Sequence, residues 1–418
     1  MKYALFLLQC SSTILLAAAG GISGGSSGGG GINNGGGSGG TSSDTIIARE
    51  KYINVLDYGV VADAIIGTNT VTGVTNSLQL AINAGSISNL PVRIPSGNYV
   101  VSQTFLSNNS VVFGDGFTTH LIAKGAGNST PFNAQTATGT IIQDLWIDRG
   151  IIPNVGATNS SYATNGASPI PGAAFARAIY HNADGPGSVR GVRITGFNVG
   201  IEVTGTDSIL TRPQQAIYDN VFVTNCTYGI VTAGPNNAEY VTFGSSVQIV
   251  NCWGGWSNAT AANIKWKGGV IRDCPGFTYW QKGTTNVSYG YRGHSFINPY
   301  WTHGGEVILE NANNVTFEDG AISCGGQVMG QTVSGAIRLN ATTNAWFNNM
   351  WIGEVSGATG NMLILTNGGL NNRFNSVRVS IGGGTNIIGA TTTNSRGWNV
   401  WSDEFQFYLR PATTWTNQ

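Results

Sequence analysis

Val307-Ile308-Leu309-Glu310-Asn311, then Asn313-Asn314-Val315-Thr316-Phe317, then Ala321-Ile322-Ser323 make up a pattern that occurs three times between residues 306 and 381. The second copy runs Ala336-Ile337-Arg338-Leu339-Asn340, Asn344-Ala345-Trp346-Phe347 and Trp351-Ile352-Gly353. The third runs Leu363-Ile364-Leu365-Thr366-Asn367, Asn372-Arg373-Phe374 and Arg378-Val379-Ser380. Ile308, Ile337 and Ile364 are separated by 29 and 27 residues, and Phe317, Phe347 and Phe374 by 30 and 27. Three short strands with polar turns at a nearly fixed period are the signature of a solenoid whose unit is a β-coil.

The same unit extends upstream to about residue 140. Leu145-Trp146-Ile147-Asp148, Val192-Arg193-Ile194-Thr195, Val221-Phe222-Val223-Thr224 and Val247-Gln248-Ile249-Val250 align with Met350-Trp351-Ile352-Gly353 and Val377-Arg378-Val379-Ser380. Strand alternation sends the first and third residue of each inward and the second and fourth outward. The 47 residues from Leu145 to Val192 are nearly two coils, so 149–176, with three prolines, reads as an inserted loop. Phe197, Cys226, Cys252 and Cys274 follow the strands in one register, which predicts an inward stack. Coils are about 4.8 Å apart, so thiols stacked one per coil are too linear for a tetrahedral metal site.

Composition narrows the function. Charged residues make up 10% of the 418 and the net charge is zero, which disfavours electrostatic binding to nucleic acid or an anionic membrane. Five cysteines, with no CxxC pair, leave the redox compartment open. Residues 1–19 are apolar after one lysine and end in Ala17-Ala18-Ala19, which reads as a signal peptide or an anchor. Residues 20–44 hold thirteen glycines and read as a flexible linker.

Between 52 and 125 a further series appears: Tyr52-Ile53-Asn54-Val55-Leu56-Asp57-Tyr58-Gly59, read as strand and turn; Ser77-Leu78-Gln79-Leu80-Ala81-Ile82-Asn83, read as a helix capped by Asn76 or Ser77 and stopped by Gly85; Val92-Arg93-Ile94-Pro95-Ser96-Gly97-Asn98-Tyr99; and Gly114-Asp115-Gly116. This order resembles the N-terminal part of pectate-lyase-superfamily β-helix proteins, which include secreted polysaccharide lyases and hydrolases and many bacteriophage tailspikes. The resemblance implies an all-β fold: a right-handed, single-stranded parallel β-helix over residues 45–390, with a short capping helix within about 50–125. It leaves 391–418 as a C-terminal cap or subunit-contact segment. It also implies an extended polysaccharide as partner, an extracellular setting on a virion tail or a cell surface, and, for a tailspike, a homotrimer attached by its N-terminus.

Outward positions on successive coils suit a polymer. Trp146, Arg193, Phe222, Gln248 and Trp351 are the substrate-binding candidates, because aromatic rings stack on sugars and Arg and Gln bond hydroxyls or carboxylates. Glycoside hydrolysis needs two carboxylates about 5–5.5 or 6.5–9.5 Å apart. The catalytic candidates, read as surface-facing, are Asp148, Glu202, Asp219, Glu318 and Glu354. Plainer roles compete: Arg190 aligns with Asp219 as an ion-pair partner, Glu318 reads as a solvated surface residue, and the neighbouring Asp319 falls in a turn column with Asp144, Asn220 and Asn349. Of the polygalacturonase elements, Asp-Asp and Arg-Ile-Lys are missing and Arg292-Gly293-His294-Ser295 is a fragment. No cofactor is predicted. Calcium stays open, although the twelve aspartates form no cluster in sequence. His181, near Asp184, is the histidine placed beside a carboxylate. Three readings follow: a tailspike-like receptor-binding protein that recognises, with or without depolymerising, a surface polysaccharide; a secreted lyase or hydrolase acting on a pectin-like or other acidic glycan; and a non-catalytic adhesive or structural β-helix. The upper coils, beside the inserted loop, are the expected place for a glycan groove.

Overall fold

The computed structural model describes residues 52–62, 77–101, 103–123, 130–149, 176–205, 216–232, 240–259, 263–282, 293–325, 327–328, 331–332, 335–355, 361–366, 372–380, 386–391, 400–402 and 405–408. The expectations for 1–19, for 20–44 and for most of the 149–176 insertion fall outside them. Among the described residues no helix is long and apolar enough to cross a membrane.

Strand follows strand around a right-handed parallel β-helix, and nearly every pairing joins one coil to the next in parallel register. Twenty-two strands form one large bent sheet and eleven form a second. In the bent sheet each coil supplies two segments, such as Asn313–Glu318 and Ala321–Gly325. The corner between them is a residue with left-handed backbone: Asp144, Gly191, Asn220, Asn298, Asp319, Asn349 and Ser376 have φ of 49–61°. A second corner follows the outer segment, where Gly196, Asn225, Asn251 and Asp273 have φ of 83, 53, 54 and 55°. An ordinary side chain in that conformation costs about 1–2 kcal/mol, and Asn and Asp tolerate it best. Asn225, Asn251 and Asp273, each directly before a stacked cysteine, are therefore a column of turn residues.

Inward side chains pile up coil on coil. Phe296, Phe317, Phe347 and Phe374 stack with centroids 4.6, 4.9 and 4.7 Å apart and planes within 16° of parallel. This spacing is the coil rise, so one ring per coil gives an unbroken apolar column. Phe197, Cys226, Cys252 and Cys274 are each fully buried, and each thiol faces the carbonyl two residues earlier. Burial pushes the Cys226 and Cys252 thiols well above their usual range.

The helix, Ser77–Ser88, buries Leu78, Ala81, Ile82 and Gly85 along one stripe against the first coil. Two expectations change here. Gly85 does not end the helix: it lies inside it, where an added Cβ would collide with Val92 and the Leu90 carbonyl. Close approach, not chain reversal, explains that glycine. Only Ile53–Asn54 of the first apolar stretch is strand. Val55–Tyr58 is a 3-10 turn, capped by the Asn54 side chain and closed by Gly59 at φ 79°.

Coiling also runs past residue 390. Val400–Ser402 pairs in parallel with Asn372–Phe374, and Phe405–Tyr408 with Val377–Ser380. The partners there are 25 and 28 residues apart, close to the 27 of Phe347 and Phe374, so the coil period holds.

Candidate functional site

The outward face of the bent sheet carries long in-register columns. In the outer segments Asn98, His120, Trp146, Arg193, Phe222 and Gln248 occupy six successive coils. Val270, Tyr300, Ala321, Trp351, Arg378 and Gln406 continue the same column. Across the corner, the inner segments align Ile217, Thr242, Lys265, Ser295, Thr316, Trp346 and Arg373. Neither column contains a carboxylate. All five substrate-binding candidates lie in the first.

The upper part of that column is closed upon itself. His120 lies flat on Trp146, at 3.8 Å and 11°. Arg193 covers the other face of Trp146 at 4.9 Å and reaches Phe222 at 5.6 Å. Asn98 holds His120 Nδ1 at 3.0 Å, and His120 Nε2 faces Asp148 at 3.4 Å. Both faces of Trp146 are thus covered, and His120 is held through Nδ1. The group is a pillar whose Trp146 Nε1 is itself buried, and a sugar ring finds no free face on Trp146. The weight of the candidate face therefore moves down the coil.

Lower down, faces are open. Tyr300 is 54% exposed, Trp346 40% and Trp351 38%. Arg373 covers one face of Trp346 at 5.4 Å. Among the described residues no ring or cation stacks on Trp351. Tyr300 and Trp351 flank the small Ala321 on the coil between them, at a separation of about 9.6 Å from two coil rises.

The carboxylate candidates do not converge. Asp148 stands between Ile122 and Thr195, and Glu318 between Ile297 and Asn348. Asp219 sits opposite Arg190 but makes no ion pair with it; a Cβ at Gly244 would instead meet its carboxylate. Asp219 and Glu318 share a column four coils apart, about 19 Å, well beyond a hydrolytic pair. Glu354 is in register with Cys324, and its side chain is outside the description. Glu202 corrects the surface-facing expectation. It does alternate outward, on the second sheet, but is 1% exposed and paired with Arg177, which also lies over Tyr180. Burial raises its carboxyl to about 7, against the pull of Arg177. The outward face of that sheet is itself covered, since Val199, Tyr228, Val231, Trp253 and Phe277 form a separate buried apolar cluster.

His181 is a further correction. It points into the core, where it meets the Tyr218 hydroxyl at 2.6 Å and the Thr140 carbonyl at 3.3 Å, and Asp184 is not its partner. The histidine beside a carboxylate is His120, a strand position whose register with Trp146 pairwise alignment of short motifs did not expose. Tyr300 and Trp346 were missed as well. Asn298, in register with the corner residues Asp319 and Asn349, was the available signal that Tyr300 opens an outer segment. Among the described residues no three His, Cys, Asp or Glu side chains converge.

No protein-family model matches the chain, and comparison with curated proteins finds no relative. Solved structures do resemble it. The A-module of the mannuronan C-5 epimerase AlgE4 of Azotobacter vinelandii is 15% identical, with a TM-score of 0.52, over 87% of this chain and 100% of that one. The catalytic unit of a GH87 α-1,3-glucanase from Streptomyces thermodiastaticus is 13% identical, with a TM-score of 0.51, over 88% of this chain and 70% of that one. The Dettilon tailspike protein is 8% identical, with a TM-score of 0.48, over 79% and 68%. At these identities the likeness is one of fold.

Proposed function

We propose that the chain binds an extended polysaccharide along the outward columns of the bent sheet, as a tailspike-like receptor-binding protein does on a cell surface. The observation that carries this reading is the column from Tyr300 to Arg378, where two exposed aromatic rings stand two coils apart and a cation follows on the next coil. An epimerase named for mannuronan and an α-1,3-glucanase are built on the same coil. Arginine and lysine without carboxylates in the aromatic-bearing columns favour an acidic polymer over a neutral one. Binding is favoured over two-carboxylate hydrolysis, because no two of the carboxylate candidates share a column within one or two coils of each other. An extracellular, homotrimeric spike attached through its N-terminus is the assembly this reading takes. The test is retention of the full chain on a panel of bacterial surface and plant polysaccharides, with reducing ends and unsaturated products read in parallel. Retention without cleavage supports the proposal, and no retention on any polymer or cell surface refutes it.

A further inference from the structure

Gly353 stands two residues beyond Trp351, at an outward position of the same strand, yet it is buried. What covers it is the indole. A Cβ built on Gly353 would fall 3.0 Å from Cε2 of Trp351 and closer still to Cζ2 and Cη2. The ring therefore lies along the sheet, with its outer half over the bare Cα of Gly353. The same residue sits beside Ser323 on the preceding coil, which is also buried, so the floor under the ring is made of small side chains.

We infer that Gly353 is a positioning residue for the binding face: the absence of its side chain lays the Trp351 indole flat, one face on the sheet and one toward solvent. The inference rests on the polysaccharide-binding reading for its use, and on geometry alone for its existence. Gly353 is not among the residues with left-handed backbone, so turn conformation does not require a glycine here. A strand-interior glycine otherwise weakens a strand, and close approach of another group is the remaining reason to have one. Trp346 provides the contrast: two residues on is Asn348, and its ring is covered by Arg373 instead. A flat indole with one open face is the surface a sugar ring stacks on, and a ring standing on edge is not.

The test compares the full chain with Gly353→Ala, Trp351→Ala and the double variant by near-UV circular dichroism and tryptophan emission, with no ligand. The Trp351 contribution is the difference between the parent chain and Trp351→Ala. The expected result is a red-shifted, weakened Trp351 contribution in Gly353→Ala, and no further change when Gly353→Ala is added to Trp351→Ala. An unchanged Trp351 contribution, or the same spectral change in the double variant, overturns the inference. If Gly353→Ala lowers stability, Trp351→Phe restores it, because phenylalanine lacks the edge that collides; a loss that persists beside Trp351→Phe overturns the inference too. Retention on immobilised alginate and dextran is measured separately. Failure there refutes the polysaccharide reading and leaves the seat of the indole standing.

Discussion

His120 and Trp146 lie 3.8 Å apart with their planes 11° from parallel, and Arg193 closes the opposite face of the indole. Trp146 is therefore a spacer between two neighbours, although it alternates outward like Trp351. Trp146→Ala is expected to lower folding stability by about 1–2 kcal/mol, the worth of the lost stack and cation–π contact. Polymer retention should be little changed. Trp351→Ala should do the reverse. Urea denaturation of the two variants beside a retention assay checks this opposition, and equal behaviour would refute it.

The phenylalanine column gives a second expectation. Phe347 is buried between Phe317 and Phe374 at 4.9 and 4.7 Å, with planes 4° and 3° from parallel. Phe347→Ala should cost about 3–5 kcal/mol, because the coil rise fixes both neighbours and the gap cannot collapse. Phe347→Leu should cost far less. Thermal or urea unfolding measures both, and a loss under about 1 kcal/mol for alanine would show that the column relaxes.

Acid should weaken the fold through its buried histidines. Burial holds His181 down at about 4 and His294 down at about 3, from an ordinary 6.5. The unfolded chain takes up these protons below pH 6.5 and the folded chain does not. Stability is thus complete above 6.5, falls with acidification to about 4 for His181 and about 3 for His294, and levels off below. The slope is about 1.4 kcal/mol per pH unit for each group. Glu202, raised to about 7, acts in the opposite sense. Its carboxyl favours the folded state at low pH and loses that contribution as pH rises from about 4.5 to 7. The difference between the parent chain and His181→Gln isolates the His181 part. That variant should show a shallower loss between pH 6.5 and 4, and an identical slope would contradict the assignment.

Corner residues should follow backbone sign and not side-chain chemistry. Asn251 has φ 54° and lies in the column with Asn225 and Asp273. Asn251→Gly should be close to neutral, whereas Asn251→Val should cost about 1–2 kcal/mol, since a β-branched residue does not tolerate that conformation. Urea midpoints of the pair decide it.

The fold was legible because a coil repeats. Val, Ile and Phe at fixed spacing exposed the rungs, and the outward column from Trp146 to Arg378 followed from alternation alone. What alternation could not give was what lies on top of an outward residue. Glu202 alternates outward and is buried under the covered second sheet, and Trp146 alternates outward and is sandwiched. Contacts between coils join residues 20–47 apart in sequence, and side-chain direction along the axis leaves no trace in spacing. The glycines showed the same limit: Gly85 read as a helix stop and Gly353 as one more strand residue, yet both mark places where another group comes close.

The most direct test of the account is retention of the full chain on acidic and neutral polysaccharides, beside Trp351→Ala. The account predicts measurable retention on at least one acidic polymer, weakened by added salt, and a drop of tenfold or more on removing the indole, from about 1.4 kcal/mol or more of lost stacking. Retention that is absent from every polymer, or that Trp351→Ala leaves unchanged, would contradict it.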